Sequence, residues 1–188
     1  ISRDIVTIVT QVKVDPYDPA FEKPTKPIGP FYTRGQAERL RSERGYIIRK
    51  IEKNRYRRVV PSPEPKGIVE IGAIRRLVGA GVVVVASGGG GVPVVESDGV
   101  LRGVEAVIDK DLAAEILTRE IEAEVMLFLT NVQGVAVGYG KPGQRFLGRM
   151  TLGEVKGYLM EGEFPPGTMG PKIEAAVRFL ESGGERAV

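Results

Sequence analysis

Four glycines in a row, Gly88 to Gly91, follow four valines, and the triplet Asp109-Lys110-Asp111 stands just ahead of a helix-periodic stretch. Glycine has no Cβ, so such a loop can bring its N–H groups within contact distance of an anion. Lys110 opens one expected helix, and Lys172, beside Pro171, opens another. A lysine there opposes the helix dipole, whose positive end already sits at the N-terminus, unless an anion lies between the two. Loop and lysines together describe a polyphosphate cradle. Taken singly, each feature has a plainer reading: a flexible connector, an ordinary cap in Asp109, or solvated surface lysines. Their convergence favours the cradle.

Composition narrows the chemistry. The chain has no cysteine and no histidine, which excludes a disulfide, a thiolate or imidazole metal site, and a Ser-His triad. Lys, Arg, Asp, Glu and backbone donors must therefore do the work. The 188 residues, 42% hydrophobic and 27% charged, suit one soluble domain, or one domain with a small appendage. No apolar run matches a bilayer span and Ile1-Ser2-Arg3-Asp4 is no signal peptide, so the expected location is cytosolic.

The elements that must position these residues follow from periodicity. Val6 to Val14 alternates and reads as a strand, or two halves of one, starting inside a domain. Val82 to Val85 reads as a strand buried on both faces of a parallel sheet, feeding the glycine loop. Val94 to Leu101 reads as a hairpin turning on Asp98-Gly99. Ala106 to Ile108 reads as strand, giving way to helix at the charged triplet, where open α/β sheets hold ligands. Helices are expected over 68–78, stopping at Gly79 and Gly81, and from Asp111 onward. Val125 to Leu129 reads as a second buried strand, and a right-handed crossover between parallel strands is expected. Thr151 and Glu154 cap a helix through Leu159; a turn at 165–168 precedes the Lys172 helix, which ends at Gly183-Gly184, and the chain then enters another strand.

Residues 15–65 interrupt this order. Prolines at 16, 19, 24, 27 and 30 predict a kinked loop that carries Lys23 and Lys26 outward. A capped helix (Thr33, Gln36, stop at Gly45) and a hairpin around Lys53-Asn54 follow. From Glu38 to Arg58 nine basic residues face three acidic ones. Such an insert is a solvated face, a lid over a phosphorylated ligand, or a nucleic-acid patch.

The runs T-K-P-I-G-P-F-Y, V-V-P-S-P-E-P, A-S-G-G-G-G-V-P, G-V-E-A-V-I-D-K-D-L-A, G-K-P and G-T-M-G-P-K-I-E-A-A, in this order, closely resemble the carbamate kinases of the amino acid kinase superfamily. The resemblance covers all 188 residues. It implies an α/β fold, a three-layer αβα sandwich around a mainly parallel open sheet, with residues 15–65 as a protruding lid subdomain. It also implies a homodimer, ATP/ADP with Mg2+ held mainly by the nucleotide phosphates, and reversible phosphoryl transfer between ATP and carbamate, giving ADP and carbamoyl phosphate. By position, Lys26 would reach the phosphoryl group from the lid. Lys110 and Lys172 would neutralise its oxygens in flight, and Asp111 would hold those lysines. Gly88, Gly89, Gly90, Gly91 and Val92 would line the acceptor pocket. Tyr139, Lys141, Pro142, Met169 and Gly170, with Lys172, would border the nucleotide. No protein-borne metal site and no membrane partner are implied, and nucleic acid is disfavoured.

The chain also departs from the family pattern. The family's first strand and glycine-rich loop ending Gly-Gly-Asn have no counterpart before Ile1, and Asn131 stands where members often carry an acid. Two other readings stay open. One is a superfamily kinase acting on acetylglutamate, aspartate or a nucleoside monophosphate, which would lack the lid motif. The other is an RNA-binding protein using the basic insert.

Overall fold

Apolar alternation and helical periodicity resolve into short strands and mid-length helices. The computed structural model describes residues 3–164 and 169–188; the turn expected at 165–168 lies outside them. In order come β1 (Ile5–Thr7), β2 (Gln11–Val14), β3 (Lys26–Tyr32), α1 (Arg34–Arg44), β4 (Ile48–Glu52), β5 (Arg55–Val60), β6 (Pro65–Ile68) and α2 (Ile71–Gly79). Then follow β7 (Val83–Val85), a 3-10 turn over Gly88–Gly90, β8 (Val92–Ser97), β9 (Val100–Gly103) and α3 (Lys110–Glu120). Last are β10 (Val125–Met126), β11 (Ala136–Val137), β12 (Arg145–Phe146), α4 (Leu152–Met160), α5 (Met169–Glu181) and β13 (Arg186–Ala187).

The mixed α/β class is the expected one, with parallel pairs β1–β7 and β10–β13. A four-stranded sheet of order β6-β2-β8-β9 joins β2 and β8 in parallel and is otherwise antiparallel. Strands β3-β5-β4 form an antiparallel sheet backed by α1, and β11–β12 is a small hairpin. The main core gathers Val12, Val14, Ile68, Ile74, Ile108, Ala113 and Ile116. A second, of Met126, Ala175 and Phe179, packs α5 against Leu112 and Ala114 of α3. That packing brings the starts of the two helices together.

Local chemistry explains most boundaries. Thr33 with Gln36 and Thr151 with Glu154 form complete capping boxes, and Gly45 closes α1 in the left-handed conformation. Asp98 and Gly99, at φ 52° and 73°, make the turn of the β8–β9 hairpin.

Several expectations need correction. Strand β7 is not buried on both faces: Val83 and Val85 are exposed, because among the described residues β7 pairs with β1 alone and α2 covers one side. The helix expected from 68 begins at Ile71, since Ile68 still pairs with Val12 at the end of β6. Residues 106–108 are irregular rather than strand. The run 125–129 is regular only at Val125–Met126, and Leu127 and Leu129 are exposed; the ladder continues through the Phe128 amide, which donates to the Val188 carbonyl. The proline-rich segment is not loop throughout, for β3 takes Pro27 and Pro30 at a sheet edge, where a missing N–H costs no ladder bond. Lys26 consequently points inward. Among the described residues no helix is long and apolar enough to cross a membrane.

One buried charge sets a pH dependence. Glu115 of α3 is 1% exposed, and among the described residues its Oε1 has no hydrogen-bond partner, although an Arg119 nitrogen stands 3.6 Å away. Burial pushes its carboxyl above the ordinary value, against the pull of Arg119 and Arg178 and with the help of Glu64 and Glu120. The folded state therefore binds this proton more tightly than the unfolded state does. The resulting stability is complete below the ordinary carboxylate range and is lost as pH rises through the raised folded value. Glu115→Gln is expected to raise Tm relative to the parent more at pH 8 than at pH 4 in thermal scans. An equal or reversed difference would mean that the attraction to Arg119 dominates.

Candidate active site

The second half of the glycine loop, Gly90 and Gly91, makes contacts that a Cβ would prevent. Ser87 takes the left-handed conformation (φ 54°), its amide donating to Thr10 Oγ1 at 2.8 Å while Thr10 Oγ1 donates to the Ile8 carbonyl at 3.0 Å. A Cβ on Gly90 (φ 103°) would overlap the Ile108 carbonyl oxygen, and one on Gly91 would lie 2.5 Å from Val12 Cγ2. The loop thus rests directly against the residue preceding Asp109. Gly88 and Gly89 have open space above them.

Helix α3 begins where the loop touches. Asp109 Oδ1 accepts from the Asp111 amide at 2.9 Å, capping the helix. Lys172 Nζ, from the first turn of α5, donates to both oxygens of Asp111 at 2.8 and 3.0 Å, and Lys110 Nζ lies 3.7 Å from Asp111 Oδ2. The Asp111 carboxylate is 10% exposed, Lys172 16% and Lys110 67%. One carboxylate serves two lysines, which leaves the cluster with positive charge to spare for an anion.

Lys26 arrives from the other subregion. Its Nζ donates to Asp109 Oδ2 at 2.7 Å. Burial alone would raise the Asp109 carboxyl, but the Lys26 hydrogen bond, the Asp111 amide and the Lys26 and Lys110 charges together hold it below its ordinary value. Arg58 pairs with Glu105, and the Val107 amide donates to the Pro61 carbonyl at 3.0 Å. These contacts seat the β3-β5-β4 unit against the approach to α3.

Two cavities meet at the lysine pair. One, of about 340 Å³, is walled by Ser87, Gly89, Lys110, Asp111, Phe128 and Lys172 among others. The other, of about 440 Å³, is walled by Thr130, Asn131, Tyr139, Phe164, Met169 and the same Lys110 and Lys172. Aromatic and thioether walls with a basic end suit a flat heterocycle bearing phosphates. The structure therefore brings Lys110, Asp111, Lys172 and Gly89 together, with Tyr139 and Met169 on the adjoining side. Gly88, Gly90, Gly91, Val92 and Gly170 are absent from both walls, as is Lys26. Lys141 and Pro142 are exposed, in a turn whose Lys141 amide donates to the Gly138 carbonyl.

Sequence reasoning assigned no site role to several residues here. Thr130, Asn131 and Phe164 line the second cavity, and the signal for the first two was their place directly after an apolar run. Ser87, whose buried hydroxyl has no hydrogen-bond partner among the described residues, had the matching signal of standing between strand and glycines. Among the described residues no group of three or more Asp, Glu, His or Cys converges on a metal position.

Comparison with known proteins agrees with this geometry. The model of the amino acid kinase family matches residues 31–188. The carbamate kinases of Thermococcus kodakarensis and Pyrococcus horikoshii are 53% and 50% identical over 188 residues, all of this chain and 60% of each relative. Among solved structures, the carbamate kinase from Giardia lamblia bound to AMP-PNP is 40% identical with a TM-score of 0.87, covering 98% of this chain and 59% of that one. A protein of Aeropyrum pernix K1 is 47% identical with a TM-score of 0.89, at 98% and 59% coverage. The chain spans about 60% of the length of the curated relatives it matches. With a family match across most of its length, a glycine loop packed on a capped helix, and lysines from two helices gathered on one carboxylate, this chain belongs to the amino acid kinase family.

Proposed function

We propose that the full-length protein transfers a phosphoryl group reversibly between ATP and carbamate, giving ADP and carbamoyl phosphate. The observation that carries this reading is the Lys110–Asp111–Lys172 cluster, whose two lysines belong to the walls of both cavities. In the forward direction a carbamate oxygen forms a bond to the γ-phosphorus, and the bond from that phosphorus to the β,γ-bridging oxygen breaks. The electron pair leaves with ADP. Carbamate is already an anion, so no histidine base is needed; the protein's task is positioning and charge neutralisation. Lys172, fixed by two hydrogen bonds to Asp111, supplies a preorganised positive charge, and the exposed Lys110 a second.

The nucleotide would lie in the larger cavity against Tyr139 and Met169, and the small acceptor in the smaller one beside Gly89. Magnesium fits this reading as an ion carried on the nucleotide phosphates, whose charge it would offset. Asp109 and Asp111 are already engaged by lysines, and no residue of this chain is assigned to the metal. The β3-β5-β4 unit with α1, within residues 15–65, serves as lid. Its charge excess does not favour nucleic acid: Arg34, Arg39, Arg55 and Arg58 pair with Glu38, Glu43, Glu52 and Glu105, and Arg55 and Arg57 stack on Phe31. A homodimer in the cytosol belongs to the same reading, supported by the likeness to carbamate kinases.

The test is ATP formation from ADP and carbamoyl phosphate by the full-length protein, followed by luminescence. Carbamoyl-phosphate-dependent ATP is the expected result. No ATP, with phosphorylation of acetylglutamate, aspartate or a nucleoside monophosphate instead, would replace carbamate as the substrate.

A further inference from the structure

Asp109 reads from the sequence as a helix cap or as one carboxylate of a ligand-holding triplet, and its two oxygens face two different parts of the molecule. Oδ1 accepts the Asp111 amide at 2.9 Å and Oδ2 accepts Lys26 Nζ at 2.7 Å, across 83 residues of chain. The residue is 8% exposed, so water competes poorly for either oxygen. Its neighbours on one side are Lys110 and Asp111; on the other is the first residue of the lid's edge strand. A carboxylate held in this way cannot shift toward one partner without loosening the other. The lid's remaining contacts at this edge, Arg58 with Glu105 and the Val107 amide with the Pro61 carbonyl, converge on the same short segment ahead of α3.

We propose that Asp109 is a positioning residue that clasps the lid to the N-terminus of α3, so that seating Lys26 and setting the Lys110–Asp111–Lys172 cluster are one event. This rests on the phosphotransferase reading for its consequence in turnover, but not for the clasp itself. Lys26 walls neither cavity, whereas Lys110, the residue next to Asp109, walls both. Asp109 therefore acts through its neighbours: it fixes the lid lysine beside the cluster and orients the amide of the residue that holds Lys172.

Asp109→Asn separates the two roles, because asparagine caps helices as well as aspartate but carries no charge for Lys26. In the full-length protein this variant is expected to keep its Tm within a few degrees and to lose about ten- to a hundredfold in kcat, with the KM for ADP unchanged. Lys26→Ala and the double variant Lys26→Ala/Asp109→Asn should turn over at the same rate, since the second change removes an interaction already gone. Hydrogen exchange read by mass spectrometry should show the amides of β3 and β5 exchanging faster in both single variants, while α4 is unaffected. Faster turnover in Asp109→Asn would make the contact an inhibitory parking place and overturn the proposal. Effects that multiply in the double variant would overturn it as well. If the full-length protein makes no ATP from carbamoyl phosphate, the kinase reading falls by itself, and exchange decides alone: unchanged protection of β3 and β5 in Asp109→Asn removes the clasp.

Discussion

Replacing Lys172 with alanine is expected to lower kcat for ATP formation by a factor of about a hundred to a thousand, the cost of removing one preorganised donor from a developing charge. Lys172 should matter more than Lys110. Its side chain is 16% exposed and its ammonium makes two hydrogen bonds to Asp111, whereas the Lys110 side chain is 67% exposed and its ammonium stands 3.7 Å away. A charge fixed in a shielded site acts at full strength, while an exposed one is screened and free to turn away. The change also leaves Asp111 mostly buried with a weakened partner, at a stability cost of about 1–3 kcal/mol. Turnover must therefore be measured well below the variant's own Tm, which calorimetry supplies. Lys172→Arg keeps the charge but not the point geometry, and should recover only part of the rate. Lys172→Ala turning over within threefold of the parent would remove this lysine from the catalytic set.

The largest effect on folding is expected from Gly90→Ala. At φ 103° an L side chain is strained wherever it sits, and here the new Cβ would also overlap the Ile108 carbonyl oxygen and lie 2.9 Å from its carbon. Ile108 is 1% exposed, so its backbone has no open space into which to retreat. Strain and overpacking together should cost about 3 kcal/mol or more, a fall in Tm on the order of 10 °C for a chain of this size. Gly89→Ala is the control. Its Cβ meets nothing within 4 Å and only the φ of 67° opposes it, so about 1 kcal/mol is expected. Activity should follow the opposite order among properly folded protein, because Gly89 walls the smaller cavity and Gly90 does not. Equal melting temperatures for the two variants would mean that the loop does not rest on Ile108.

Much of this molecule is legible along the chain. Both capping boxes, the Asp98-Gly99 hairpin and the helix carrying Lys172 follow from interactions spanning a few residues, so the signals lie next to one another. Lys110, Asp111 and Lys172 stand out for a related reason: a cation at a helix start is locally unfavourable, and a local anomaly can be read locally. The extents of strands are less readable. Val82 to Val85 and Val125 to Leu129 carry β-branched and apolar side chains whatever covers them, so composition cannot tell a doubly covered strand from one with an open face.

What the sequence by itself determined is the α/β class, the approximate positions of the helices and the residues with chemistry to offer. The tertiary structure alone decided how they combine. Nothing near Lys26 reveals that it meets Asp109, because an ion pair across 83 residues depends on where β3 is placed by β5 and where α3 is placed by α5. Nor does a run of four identical glycines show which of them are pressed against backbone and which are left open to a ligand. Periodicity reports which face of an element is apolar, but the partner of that face, and so every contact between distant residues, is set by packing in three dimensions.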